Sequence, residues 1–271
     1  MNTGSLEGRV AVVTGAAGLL GRQHAMALSE AGARVVLTDL DEDQLDAAVH
    51  EVAAVGGPAP RGILADVTDP ATIHTLRDWV LSRWQRLDIL VNNAALNDKV
   101  ESPRLEVEAS KFEHYPLAQW RRMMDVNVTG VFLPSQILGC EMAARGSGSI
   151  INVASTYGLV GPDPSLYIRA DGTPGFVKSA AYPASKGAVL AFTRFLAAYW
   201  GHAGVRVNAL VPGGVENGQD DHFRETYSKR TPLGRMAGPH DYRGAIVFLA
   251  GDSSSYMTGA TLVVDGGFTA W

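Results

Sequence analysis

Seven short apolar runs rich in β-branched residues, each separated from the next by a helical pattern, constrain this chain more than any other feature. RVAVVT (9–14), RVVLTD (34–39), GILAD (62–66), DILVNN (88–93), GSIINVAS (148–155), VRVNALV (205–211) and TLVVDG (261–266) read as buried strands. Helical patterns run near 21–31, 42–55, 70–85, 117–145, 180–203 and 239–250. The strands are apolar on both faces rather than alternating. Such strands need cover above and below, which a parallel sheet with helices on both sides supplies. The expected fold is therefore α/β, a doubly wound parallel sheet of about seven strands. No proline-rich or Gly/Ser-rich linker divides residues 1–271, and no solenoid period appears, so a single domain is expected. In such a sheet ligands bind beyond the carboxyl ends of the strands.

The net charge of −5 carries no long run of one sign, which argues against nucleic acid or an anionic membrane surface as partner. One cysteine, Cys140, leaves no disulfide framework and no thiolate cage. The seven histidines form no HxxxH or HxxH pair, so no bound metal is expected. The N-terminus lacks a basic segment followed by an apolar one, and no 18-residue apolar run occurs, so a cytoplasmic location is expected.

After the first strand comes TGAAGLLGRQHAMALSEAG, with glycines at 15, 18 and 21 before a helix. Glycine lets the backbone turn sharply and approach a pyrophosphate, and the helix N-terminus offers unpaired N–H groups. A packing role alone is the competing explanation of the three glycines. Eighteen residues past Gly21, Asp39 ends the second strand, where a carboxylate can accept from both adenosine ribose hydroxyls and repel a 2′-phosphate. No arginine or lysine stands at 38, 40 or 41, and Arg22 sits inside the first helical turn, so NAD is favoured over NADP. Asp66 and Val67, after the third strand, could hold the adenine by a polar contact and an apolar wall.

Of the eight tyrosines only Tyr182 has a lysine four residues on, Lys186, where chance alone predicts well under one such pair. Positions i and i+4 share a helix face. An ammonium beside a phenol favours the phenolate and makes a tyrosine usable as a general acid or base near neutral pH.

The chain resembles the classical short-chain dehydrogenase/reductase family over almost its full length. The matching residues are TGAAGLLG (14–21), Asp39, DV (66–67), NNAA (92–95), DVNVTG (125–130), INVAS (151–155), YPASK (182–186), VNALVPGG (207–214) and MTGATLVVDGG (257–267). The resemblance implies a Rossmann fold, an oxidoreductase and a tetrad of Asn127, Ser155, Tyr182 and Lys186. It implies that Tyr182 exchanges a proton with the substrate oxygen and that Ser155 holds that oxygen. Lys186 would also bond the nicotinamide ribose, and Asn127 would fix a water leading from Lys186 to solvent. Hydride would pass between a substrate carbon and the nicotinamide. Cofactor contacts are implied for Gly15, Ala17, Gly18, Leu20, Gly21, Asp39, Leu40, Asp66, Val67, Asn93, Ala94, Tyr182, Lys186, Pro212, Gly213 and Val215. A homotetramer or homodimer through the helices near 117–145 and 180–203 is also implied. Two departures stand out: the 15/18/21 glycine spacing is that of the extended branch, with Leu19 in the usual glycine slot and Ala95 for glycine. Glu216 and Asn217 stand where a threonine is often found.

Ser155 and Tyr182 lie 27 residues apart, an excess of about 14 over the family's usual spacing. Substrate-side insertions are thus expected near 96–116 and 162–178, with a lid near 214–236. Long loops in a compact domain are usually functional or disordered, and decoration or a subunit contact is the competing explanation here. The stretch 163–178 carries Asp163, Arg169, Asp171 and Lys178 among few large apolar residues, unlike an acyl-chain slot. The segments STYGLVGPD, PGGVENGQ and VVDGGFTAW resemble the carbohydrate and flagellin-glycan-modifying branch. A polyol, sugar or sugar derivative is the leading substrate class, with Arg169 or Lys99 contacting it. A 3-oxoacyl thioester reductase is the alternative enzyme, and a catalytically silent dinucleotide-binding sensor or scaffold the alternative outside enzymes.

Overall fold

The computed structural model describes residues 4–97 and 106–271. Seven strands, β1 (Val10–Thr14), β2 (Arg34–Asp39), β3 (Arg61–Leu64), β4 (Ile89–Asn92), β5 (Gly148–Val153), β6 (Val205–Pro212) and β7 (Thr261–Val264), form one parallel sheet. Their order is β3-β2-β1-β4-β5-β6-β7. The chain winds outward from β1 in one direction and then from β4 in the other. The order reverses between β1 and β4, and a crevice opens there at the carboxyl ends.

Strand residues alternate between two cores. Ala11 and Val13 of β1 pack with Leu28, Ile246 and Leu249 on one face, while Val10 and Val12 pack with Ile73, Leu138 and Trp200 on the other. Each buried valine, leucine or isoleucine among them contributes roughly 1.5–3 kcal/mol. The two edge strands depart from the buried-strand expectation. β3 is largely exposed along Arg61, Gly62 and Leu64, because it has a neighbour on one side only.

Helices cover both faces: α1 (Leu19–Glu30), α2 (Glu42–Ala53), α3 (Pro70–Trp84), α4 (Val107–Ser110), α5 (Leu117–Met124), α6 (Gly130–Arg145), α7 (Ala181–Trp200), α8 (Asp221–Lys229) and α9 (Arg243–Ala250). The carboxylates of Asp41 and Asp69 cap α2 and α3 by accepting from Gln44 N and Ala71 N. The one long helix expected over 117–145 is interrupted by a π-helical turn, Asp125–Thr129, between α5 and α6. Such turns re-aim side chains, and this one points the Asn127 side chain into the interior.

At the opposite end of the sheet, Asp88 accepts from Val10 N, Arg86 and Arg145, which ties the starts of β1 and β4 to the end of α6. Burial pushes the Asp88 carboxyl up, but these bonds prevail and hold it below the usual carboxylate range.

Candidate active site

The carboxyl ends of the strands open into a cleft of about 550 Å³. Its first wall is the turn after β1. Gly15 has φ +60°, and a Cβ there would lie 2.6 Å from Ala94 Cα, so only glycine fits. Gly21 stands in α1, where a Cβ would lie 2.2 Å from Gly15 O and 2.8 Å from Ala16 Cα. It lets the helix seat against the turn and is not among the residues lining the cleft. Gly18 does line it; a Cβ there would meet only Gly15 O, at 3.3 Å. Gly18 caps α1 without a side-chain bond, so the first N–H groups of that helix face the cleft without a side-chain acceptor. A glycine wall before uncapped helix N–H groups suits the pyrophosphate of a dinucleotide. Leu19, in the shifted slot, is the first residue of α1 and borders the cleft.

The turn is stitched to β4. Thr14 Oγ1 accepts from Asn93 N and Ala94 N at 3.1 Å each, and Asn93 Nδ2 donates to Thr14 O and Gly15 O at 3.0 Å. The Asn93 amide nitrogen therefore shapes the turn. The fixing role of the Thr14 hydroxyl is not evident from the motif alone.

Asp39 lines the cleft beyond the turn. Its carboxylate accepts from Ala17 N at 2.9 Å and Leu40 N at 2.8 Å, which fixes its orientation and leaves lone pairs for ribose hydroxyls. Arg22 is engaged elsewhere, donating to Ala17 O and pairing with Glu51. Ala17, Leu20 and Leu40 complete this arm, and Val67 walls its far side. Asp66 is not among the lining residues; its Oδ1 accepts from Thr68 N at 2.8 Å and Thr68 Oγ1 at 2.7 Å. Asn93, Ala94, Pro212, Gly213 and Val215 border the middle of the cleft.

Ser155, Tyr182 and Lys186 meet at the other end. Ser155 sits two residues past β5, with its Oγ accepting from Tyr157 N at 3.2 Å. Tyr182 and Lys186 lie on one face of α7. The Lys186 ammonium donates to Val153 O at 2.8 Å and lies 5.9 Å from the centre of the Tyr182 ring. Burial lowers its pKa to about 8, so the proton is held less tightly than in water. Asn127 is fully buried behind the lining. Its Oδ1 accepts from Leu96 N at 2.7 Å, and its Nδ2 donates to Leu96 O and Ser185 Oγ at 3.0 Å each. It clamps the chain leaving β4 against the helix that carries Tyr182.

The other two tyrosines between Ser155 and Lys186 are unsuited to proton exchange. Tyr157 and Tyr167 are buried with their hydroxyls 3.1 Å apart, and burial pushes both phenols up.

The two segments expected as insertions meet where Ser155, Tyr182 and Lys186 converge. Val177 N donates to Ser110 Oγ at 3.0 Å, and the Lys178 ammonium donates to Asn97 Oδ1. The Lys178 ammonium also lies over the Tyr182 ring, 4.7 Å from its centre. Asn97 and Lys178 line the cleft, as do Asn217, Gln219, Phe223, Tyr227 and Met236 from the segment 214–236. Arg169 does not; it sits in an exposed turn, where its backbone N donates to Thr173 O. Lys99 lies outside the described residues. The second insertion is also less polar than expected, since Leu166, Tyr167 and Phe176 are buried. Leu166 and Tyr167 pack with Phe223 and Tyr227 of α8 and with Phe268, while Arg230 pairs with Asp163.

The family model described as enoyl-(acyl carrier protein) reductase matches residues 15–269. The chain is 38% identical over 275 residues to the galactitol 2-dehydrogenase (L-tagatose-forming) of Cereibacter sphaeroides, covering 98% of this chain and 97% of that one. The crystal structure of a short-chain type dehydrogenase/reductase from Mycobacterium marinum superposes with a TM-score of 0.85 at 32% identity, over 100% of this chain and 98% of that one. A gluconate 5-dehydrogenase from Burkholderia cenocepacia J2315, solved with NADP and tartrate, gives a TM-score of 0.84 at 32% identity and the same coverage.

Proposed function

The chain belongs to the short-chain dehydrogenase/reductase family, and from that premise we propose that it interconverts a secondary alcohol and a ketone on a polyol, sugar or sugar derivative, with NAD as favoured cofactor. It is an oxidoreductase using a nicotinamide dinucleotide, which supplies the hydride acceptor or donor. The observation carrying the proposal is the convergence of Ser155, Tyr182 and Lys186 at a cleft end edged by Asn97, Lys178, Asn217 and Gln219. Polar groups of that kind suit a substrate with several hydroxyls, because a ligand lacking them would leave the groups unpaired. The galactitol and gluconate enzymes among its relatives support the same class.

In this reading Tyr182 holds or accepts the proton of the reacting hydroxyl, and Ser155 orients that oxygen by a hydrogen bond. Lys186 keeps positive charge near the phenol and donates to the ribose. Asn127 positions the strand exit against α7, in place of direct contact. The first turn, Asp39 and Val67 would hold the dinucleotide. The fixed Asp39 carboxylate, together with an Arg22 already paired to Glu51, supports NAD, although the Burkholderia relative was solved with NADP. The preference is tested by kcat/KM with each cofactor; Asp39→Ser should shrink the ratio, and a wild type that favours NADP overturns it.

The substrate class is tested by following dinucleotide reduction or oxidation with hexitols, hexonates, the matching ketoses and acetoacetyl thioesters. Turnover of one of the first three above the thioesters is expected. Far faster reduction of the thioesters would sink the proposal.

A further inference from the structure

We propose that Tyr227 and Tyr242 are positioning residues for the nicotinamide end of the dinucleotide. Their hydroxyls hold the two sides of the peptide joining Gly213 to Gly214, and so keep the segment 212–215 in the form that receives the ring. The inference rests on the dinucleotide part of the reading above and is independent of the substrate class.

Pro212, Gly213, Gly214 and Val215 follow one another out of β6 and all line the cleft. β6 pairs with β5, the strand that leads to Ser155, so its carboxyl end belongs to the reacting half of the cleft rather than to the Asp39 half. Two glycines in succession make the peptide between them easy to rotate. Both glycines are required by close neighbours. A Cβ on Gly213 would lie 2.8 Å from Asp265 Cα, and one on Gly214 would lie 2.5 Å from Tyr227 Cζ. The peptide between them is then fixed from both sides. Its N–H, that of Gly214, donates to the Tyr227 hydroxyl at 2.6 Å. Its carbonyl, that of Gly213, accepts from the Tyr242 hydroxyl at 3.4 Å. A hydroxyl fixes a peptide only if its own ring is fixed. Tyr242 is fully buried in a core, and Tyr227 stacks on Phe268 with ring centres 4.8 Å apart and planes 11° from parallel. The flanking groups are tied as well. Gly213 N donates to Val264 O at 3.0 Å, Ala237 N to Gly214 O at 2.9 Å, and Glu216 N to Ala237 O at 2.9 Å. Among the described residues, Val215 N is then the one backbone N–H of 213–216 with no acceptor. It directly follows the fixed peptide, so the orientation of that peptide sets where this donor points. A free N–H at the reacting half of the cleft suits the amide carbonyl of a nicotinamide.

The test is calorimetric titration of wild type, Tyr227→Phe, Tyr242→Phe and the double variant with two probes, NADH and ADP-ribose, which lacks the nicotinamide. NADPH and 2′-phospho-ADP-ribose replace them if the wild type prefers the phosphorylated form. Each single variant keeps the ring and removes one bond, which lets the peptide rotate and lowers the fraction of protein ready to receive the nicotinamide. The Kd for NADH should rise by roughly 2- to 10-fold in Tyr227→Phe, the range for one lost hydrogen bond. It should rise less in Tyr242→Phe, whose bond is longer, and most in the double variant. ADP-ribose should bind all four proteins alike. Tyr167→Phe removes a hydroxyl from the same aromatic cluster without touching the peptide, and should leave both affinities unchanged. Should Tyr227→Phe fail to fold by urea titration, Tyr242→Phe reads the same peptide from its other side. Equal losses of NADH and ADP-ribose, or no loss of either, would assign the two hydroxyls to packing alone and overturn the proposal while leaving the dinucleotide reading intact. A wild type that binds neither probe overturns both together.

Discussion

His24, on the first helix, is fully buried, and among the described residues neither of its ring nitrogens has a hydrogen-bond partner. Burial lowers its pKa from 6.5 to about 3. A base whose folded pKa is depressed is neutral in the folded state while the unfolded chain takes up a proton below about 6.5. Stability is therefore lost as pH falls from about 6.5 toward 3, by about 1.4 kcal/mol per unit from this group. Urea unfolding at pH 6.5 and 4.5 should show the wild type losing about 2–3 kcal/mol more than His24→Leu. An equal acid sensitivity in both proteins would contradict this account. At the chemical centre, Tyr182→Phe keeps the ring and removes the proton, so turnover should fall by at least ~10²-fold with dinucleotide affinity little changed. Tyr157→Phe should keep most activity, since its hydroxyl is engaged with that of Tyr167. Stopped-flow turnover and dinucleotide titration of both variants check this, and the reverse ranking would reassign the proton carrier. The Tyr182 and Lys186 pair was legible because i and i+4 fall on one helix face whatever surrounds them. Lys178 beside Asn97 was not, because their meeting depends on how two loops fold across 81 residues of sequence separation. Arg169 looked equally eligible in the sequence and ended in an exposed turn.

Among elements, the turn between β1 and α1 separates packing glycines from binding ones. Gly21→Ala would press a methyl group against backbone atoms at 2.2 and 2.8 Å, and should cost roughly 1–3 kcal/mol by urea unfolding. Gly18→Ala meets only Gly15 O at 3.3 Å, at ordinary φ, and should stay within about 0.5 kcal/mol of wild type. It should nonetheless weaken dinucleotide binding, because its added methyl group borders the cleft. Similar stability losses in both would show that the two positions do not divide in this way. The segment expected as the second insertion packs against Phe223 and Tyr227 of α8 through Leu166 and Tyr167. Replacing 163–176 by a short turn should therefore raise KM and lower kcat while dinucleotide titration stays near wild type. The strands were legible from their uninterrupted apolar runs, and α3 from its Asp69-Pro70 start. The π turn was not, since its residues continue a helical pattern; α8 was hidden by its polarity, with only Phe223 and Tyr227 buried.

For the molecule as a whole, Phe132, Phe192, Phe195 and Tyr199 form a run of aromatic contacts on α6 and α7, with Phe132, Phe195 and Tyr199 exposed. Exposed apolar patches of this kind mark interaction surfaces. They support the homotetramer or homodimer that the family resemblance implies. Sedimentation should report an oligomer that Phe195→Glu reduces to a smaller species, and a monomeric wild type would refute it. The sheet order described above has one more consequence, and it concerns assembly in time. Every strand pair is parallel, so no two strands can join through a tight hairpin, and each pairing must wait for an intervening segment. β1 pairs with β4 through Ala11 and Ile89, so a ribosome must deliver most of the first hundred residues before the central seam can close. Loop-closure entropy precedes any reward from such contacts, which makes folding slow and leaves apolar strands uncovered meanwhile. The arrangement that gathers the cleft along one rim thus also lengthens the interval in which the nascent chain's apolar strands stand uncovered.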